Sequence, residues 1–292
     1  MMTEKTVTGP PFENSLMDTN RFITTVEVVP PAGADPGPLL ETLTALEDLP
    51  VDGFSVATNP VAKARMSAMA LCTLIQQRTG RQAILHCTIR DHNVISLQGE
   101  LWGAQALGLR TVLCATGDFV ALGDRARTTM VKDINVYDLV EMARNSGLYT
   151  GVVFDTHPEK KDGLGQAVRR LERKKDAGAQ FAVTQPVYDR ISAQRLANAT
   201  AHIKIPIILG ILPLRTPRHA VFLHEKVAGI AVPQHVRKQM AEAADPIDAG
   251  VHNARDMLGI AREQFAGACI MPPFDHFEIL PAILRRQQLY LS

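Results

Sequence analysis

Polar and ionisable residues recur in this chain at the ends of apolar runs, and the first of them is an acid. In "TTVEVVPP" (24–31) Glu27 stands alone among valines. An ionised carboxylate buried without a partner is costly, so such a group either finds a cation or shifts its pKa upward and holds a proton. Glu27 is therefore half of a structural ion pair or a proton donor. Later runs carry Thr58-Asn59 in "VATN", His86 and Thr88 in "LHCT", then "RDHN" (90–93), Thr116-Gly117-Asp118, "FDTH" with Asp155 and His157, and Thr184-Gln185. Each has a structural alternative. His86 can be a satisfied core histidine, Asp118 a turn or cap residue after Thr-Gly, and Gln185 a partner for its own strand neighbours. Gathered on one rim, the same residues make a site able to move protons and orient a polar ligand. "HCTIRDH" brings together His86, Cys87, Asp91 and His92, but strand and loop separate them and no third ligand fits, so no metal site is expected. The chain has no GxGxxG after a strand and no GxxxxGK[ST], so a dinucleotide would not be held by a Rossmann phosphate loop.

These residues need elements to carry them. Eight short apolar runs read as strands: 22–30, 53–58, 82–88, 111–117, 149–155, 179–185, 206–212 and 267–273. Amphipathic stretches lie between them, including "VAKARMSAMALCTLIQQ", "NVISLQGELWGAQAL" and "GQAVRRLERKKDAG", and a longer helical block runs from about 217 to 265. Eight alternating units predict a single (β/α)8 barrel with extra helices before the last strand, and a doubly wound open sheet is the competing architecture. In a barrel, chemistry collects at the C-terminal ends of the strands, where all the residues above fall. Alternation puts Thr25, Glu27 and Val29 on one face of the first strand and Val26 and Val28 on the other. The segment "RRLERKK" reads, by itself, as a solvated helix face.

The chain has 292 residues, 46% of them apolar, and a net charge of +1. That suits one large domain and gives no electrostatic footprint for nucleic acid or a membrane surface. No apolar run reaches membrane-spanning length, and the first residues lack a signal-peptide core. Cys72, Cys87, Cys114 and Cys269 are scattered through apolar runs with no CxxC pair, which suggests reduced core thiols and a cytoplasmic setting. Residues 1–20 are expected to form a flexible arm, with the folded domain over 21–292.

From about residue 22 to 282 the sequence resembles the methylenetetrahydrofolate reductase family, most closely the reductase half of bifunctional bacterial homocysteine methyltransferase–reductases. The resemblance rests on "VEVVPP", "VATNPVAKARMS", "LHCTIRDHNVISLQGELWGAQALGLRTVLCATGD", "RKKDAGAQFAVTQPVYD", "ILGILPLRTPRHAVFLHEKVAGIAVP" and "GACIMPPFDHFE" in that order. It implies a (β/α)8 barrel holding FAD. The reaction implied is reduction of 5,10-methylenetetrahydrofolate to 5-methyltetrahydrofolate by NADH or NADPH, in two half-reactions on one flavin face. Glu27 matches the family's general acid and Asp118 the aspartate near flavin and folate. Gln185 matches a folate contact. His86, Arg173 and Lys174 match FAD contacts, the last two at the phosphates, and Thr58, Thr116, Gly117 and His157 join them from neighbouring strand ends. The chain departs from the family pattern at Thr116, where many members have arginine, in "FDTHPEKK", and at Pro217, where some place an aromatic. The same residues would serve oxidation of methyltetrahydrofolate, and a noncatalytic or partner-dependent folate-binding subunit is the reading from another class. Homo-oligomers are common in the family.

Overall fold

Parallel strands need a crossover between them, and the amphipathic stretches supply it. In the computed structural model, which describes residues 5–7, 10–18, 20–121, 124, 126–156, 162–227 and 229–285, eight parallel strands close a barrel in chain order. They are β1 (Ile23–Val28), β2 (Gly53–Val56), β3 (Gln82–Thr88), β4 (Thr111–Ala115), β5 (Tyr149–Phe154), β6 (Phe181–Pro186), β7 (Ile207–Ile211) and β8 (Gly267–Ile270). A short helix, α1 (Phe12–Met17), precedes them. One helix follows each of the first six strands: α2 (Gly37–Thr44), α3 (Ala68–Thr79), α4 (Val94–Ala106), α5 (Val136–Asn145), α6 (Gly163–Asp176) and α7 (Arg190–Thr200). Three helices separate β7 from β8, namely α8 (Pro217–Lys226), α9 (Gln234–Glu242) and α10 (Pro246–Gln264), and α11 (Leu280–Leu284) closes the chain's described part. The expected barrel with extra helices before the last strand is the observed architecture. The block expected from 217 to 265 is three helices because Pro233 and Pro246 each start a new one.

The strand period sorts the core into two layers. Val26 and Val28 are fully buried beneath the helices, with Phe54, Val56, Leu85 and Val112. Ile23, two residues before Thr25, shares the inner layer with Ile84, Leu113, Phe181, Val183, Ile208 and Cys269. Glu27 thus lies on the interior face, as the alternation predicted. Phe181 fills the lower barrel because Gly151 opposite it has no side chain. A Cβ there would lie 2.2 Å from the ring. Tyr149 stacks on Phe181 at 5.2 Å between ring centroids.

Within the first 20 residues the expected loose arm gives way to structure. Residues 12–17 are helical, and Phe12 (2% exposed) and Leu16 (4% exposed) are buried in that inner layer. Phe12 meets Phe181 edge-on at 5.8 Å, and its backbone N–H donates to the Gln82 side chain at 2.9 Å. Apolar burial orders this segment, which a six-residue helix has too little periodicity to announce. Among the described residues no helix is long and apolar enough to cross a membrane.

Candidate active site

Glu27 is half-buried on the interior face of β1, directly beside Ser55 of β2 in the strand register. No ion pair of Glu27 is found among the described residues. Burial, reinforced by the negative charge of Asp118, pushes its carboxyl up to about 7. Cys269 of β8 lies close enough to feel the Glu27 charge and hydrogen-bonds with Thr25 and Ser55. Ser55 Oγ also shares a hydrogen bond with His86 Nε2 at 2.7 Å. Burial lowers His86 to about 4, so its imidazole is neutral at neutral pH. Thr58 donates its hydroxyl to the His86 carbonyl and ties the end of β2 to β3. The floor of the mouth is therefore a row of neutral hydrogen-bonding groups around one acid that titrates near neutrality instead of near 4.5.

Asp118 follows Gly117, whose φ of +85° suits glycine alone. A Cβ at Gly117 would also crowd Arg90 Cβ at 3.0 Å and Thr88 Cβ at 3.2 Å. The turn carries the Asp118 carboxylate to the loop after β2, where its Oδ2 accepts the Val61 N–H at 2.5 Å. That loop is held in an unusual shape, with Asn59, Val61 and Ala62 all at positive φ. Beneath it lies Arg90, 1% exposed, which bonds Asp91 on two nitrogens and also donates to the carbonyls of Asn59 and Asp118, each at 3.1 Å.

A cleft of about 410 Å³ opens beside the mouth, between the ends of β4 and β5 and the helices α5 and α6. Thr116, Gly117, Asp118, Tyr137, Asp155, Arg170, Lys174 and Gln185 are among the residues lining it. Two cations thus reach it from one helix. Lys174 Nζ donates to the Val153 carbonyl at 2.7 Å, and Arg170 to the Asp155 carbonyl at 3.2 Å. Burial, then the Arg170 charge, lowers Lys174 to about 8, with Asp155 and Cys114 pulling the other way. The asparagine cap at Asn135, with Asp138 completing its capping box, starts α5 so that Tyr137 faces the cleft.

The mouth and cleft together gather Glu27, Thr58, His86, Thr116, Gly117, Asp118, Lys174 and Gln185. Arg173 does not line the cleft: it is exposed and stacks, at 4.3 Å, over the ring of Tyr137, which does. Arg170, grouped from the sequence with solvated neighbours, takes the cleft position, while Arg169 is exposed and pairs with Asp162 at 3.0 Å. The helical period held the signal, because Gly163, Ala167 and Leu171 are the buried positions of α6 and residues 170 and 174 share their stripe. His157 lies outside the described residues. Arg90 stood in the sequence only as part of "RDHN" and carried no role of its own, because two of its partners, Asn59 and Asp118, come from other loops. Among the described residues no group of three or more His, Cys, Asp or Glu side chains is arranged to hold a metal ion.

FAD, which the resemblance implies, suits the cleft where Arg170 and Lys174 present paired positive charge from one helix, as a diphosphate requires. Thr116 and Tyr137 add hydroxyls to the same wall, and Asp118 and Asp155 add carboxylates. The Thr88 hydroxyl, packed behind Gly117, is buried without a partner.

Fold and site define a (β/α)8 barrel with a proton-holding carboxyl at its mouth and, alongside, a cleft into which α6 sends two cations. The methylenetetrahydrofolate reductase family model matches residues 13–264, and the chain belongs to that family. It is 27% identical over 157 residues to the 5,10-methylenetetrahydrofolate reductase of Escherichia coli K12, covering 50% of this chain and 49% of that protein. It is 24% identical over 179 residues to a probable methylenetetrahydrofolate reductase (NADPH) of Caenorhabditis elegans, covering 58% of this chain and 26% of that one. The chain spans about half or less of the length of these curated relatives. Among solved structures, a Clostridium thermocellum protein described as binding two copies of 5-methyl-5,6,7,8-tetrahydrofolic acid superposes with a TM-score of 0.66 at 14% identity, covering 93% of this chain and 95% of that one. A 2,3-dimethylmalate lyase gives 0.55 at 13% identity, covering 91% and 79%. At such identities both likenesses speak to the fold alone.

Proposed function

We propose that this chain reduces 5,10-methylenetetrahydrofolate to 5-methyltetrahydrofolate by a two-step exchange through FAD, with NADH or NADPH as reductant. The observation that carries the reading is the Glu27 carboxyl on the interior face of β1, beside Ser55 and without an ion-pair partner among the described residues, where burial and Asp118 raise it to about 7. The bridge between folate N5 and N10 must open before hydride can be accepted at the one-carbon unit. Opening needs a proton on N10, and Glu27 is the group at the mouth able to give one near pH 7. The iminium that results is cationic, and the Asp118 carboxylate favours it across the mouth. Gln185 orients the pterin by hydrogen bonding, and neutral His86 adds no competing charge. Bound FAD would supply the hydride. Arg170 and Lys174 would hold its phosphates, and Thr58, Thr116 and Gly117 would border it.

The test is spectroscopic. The purified protein, supplied with FAD and kept free of oxygen, should bleach on adding NADH or NADPH. It should recolour on adding 5,10-methylenetetrahydrofolate. Failure to take up FAD, or bleaching without recolouring, would overturn the proposal.

A further inference from the structure

Asp118 and Arg90 are close enough that the carboxylate's charge is felt by the guanidinium, which packs against Gly117, the residue before Asp118. A buried arginine beside a carboxylate ordinarily forms the two-pronged pair. Here it does not. Arg90 Nε donates to Asp91 Oδ1 at 2.7 Å and one terminal nitrogen to Asp91 Oδ2 at 2.5 Å. What Arg90 gives Asp118 is one bond to its backbone carbonyl at 3.1 Å, and the side chain accepts instead from the Val61 N–H. Asn59 braces the arrangement, its amide donating to Asp91 Oδ2 at 3.1 Å while its carbonyl accepts from Arg90.

We propose that Asp91 is a positioning residue that occupies the charged edge of Arg90, so that Arg90 fixes the Asp118 backbone without neutralising the Asp118 carboxylate. The negative charge of Asp118 then remains directed at Glu27. Among the described residues, the ionisable groups around Glu27 are Asp118 from the loop after β4, Cys269 of β8, whose thiol burial pushes up to about 12, and, through Ser55, neutral His86 of β3. Asp118 is accordingly the charged neighbour through which this arrangement reaches the acid. The inference rests on the proton-donor reading of Glu27 only for its catalytic consequence.

The experiment follows the Glu27 carboxyl itself by carbon-13 NMR of glutamate-labelled full-length protein from pH 5 to 9, with Glu27→Gln assigning the signal. Asp91→Asn frees Arg90 to pair with Asp118 and should move the Glu27 titration down by about one pH unit or more. Adding Arg90→Gln to Asp91→Asn removes the cation and should restore the titration toward wild type. Asp91→Glu, which keeps the pair, should leave it unmoved. A folded Asp91→Asn protein that titrates like wild type would overturn the proposal, as would a shift that persists in the double variant. If Asp91→Asn does not fold, the Asp91→Glu and double-variant titrations must both match wild type, and departure of either overturns it. Folate-dependent recolouring of the flavin is recorded on the same samples. A wild-type protein that titrates near pH 7 but never recolours defeats the reductase reading and leaves the Asp91 inference standing.

Discussion

Glu27 makes opposite demands on activity and on stability. A raised folded-state pKa means that the carboxyl costs the fold nothing while protonated. The penalty grows as pH rises from about 4.5, the ordinary value, through about 7 and is constant above. Glu27→Gln should therefore match wild type in urea denaturation at pH 4 and exceed it at pH 8 by at most about 3 kcal/mol. In the folate half-reaction the same variant should lose at least about a hundredfold in rate while flavin reduction persists. Stopped-flow measurement of each half-reaction separates the two effects. Equal loss in both would count against the proton role. Glu27 was legible in the sequence because an acid in a valine strand violates the local pattern. Arg90 was not, since nothing in "TIRDHN" tells that its guanidinium will be buried under two other loops.

At the scale of elements, α6 decides which cations reach the cleft. Its buried stripe carries Arg170 and Lys174 inward and leaves Arg173 outside on Tyr137. Affinity of the flavin-free protein for FAD should weaken about tenfold as pH rises from 7 to 9, because Lys174 loses its proton near 8. Lys174→Met should bind less tightly at pH 7 and flatten that dependence, whereas Arg173→Met should change neither, as read by fluorescence titration. The eight strands and most crossings were readable because each strand is a short apolar run bounded by turn residues. The resemblance put Arg173 beside Lys174, while the phase of α6 puts Arg170 with Lys174 at the cleft. The short α1 gave no such phase to read.

Across the whole molecule, stability and chemistry occupy opposite ends of the barrel. The lower interior is sealed by Phe12, Tyr149 and Phe181 around Gly151, while the ionisable groups lie at the mouth. Phe12→Ala should cost roughly 3 kcal/mol in urea denaturation and leave the Glu27 titration unchanged. A displaced titration would mean that the two ends are coupled. The closed topology has a consequence for the acid. β1 pairs with β8, strands far apart in the sequence, and that pairing brings Cys269 to Glu27. Glu27 owes its raised pKa first to burial, so opening the β1–β8 seam to water would return its carboxyl toward the range of a surface glutamate. The acid is thus a property of the closed ring and not of the strand that carries it.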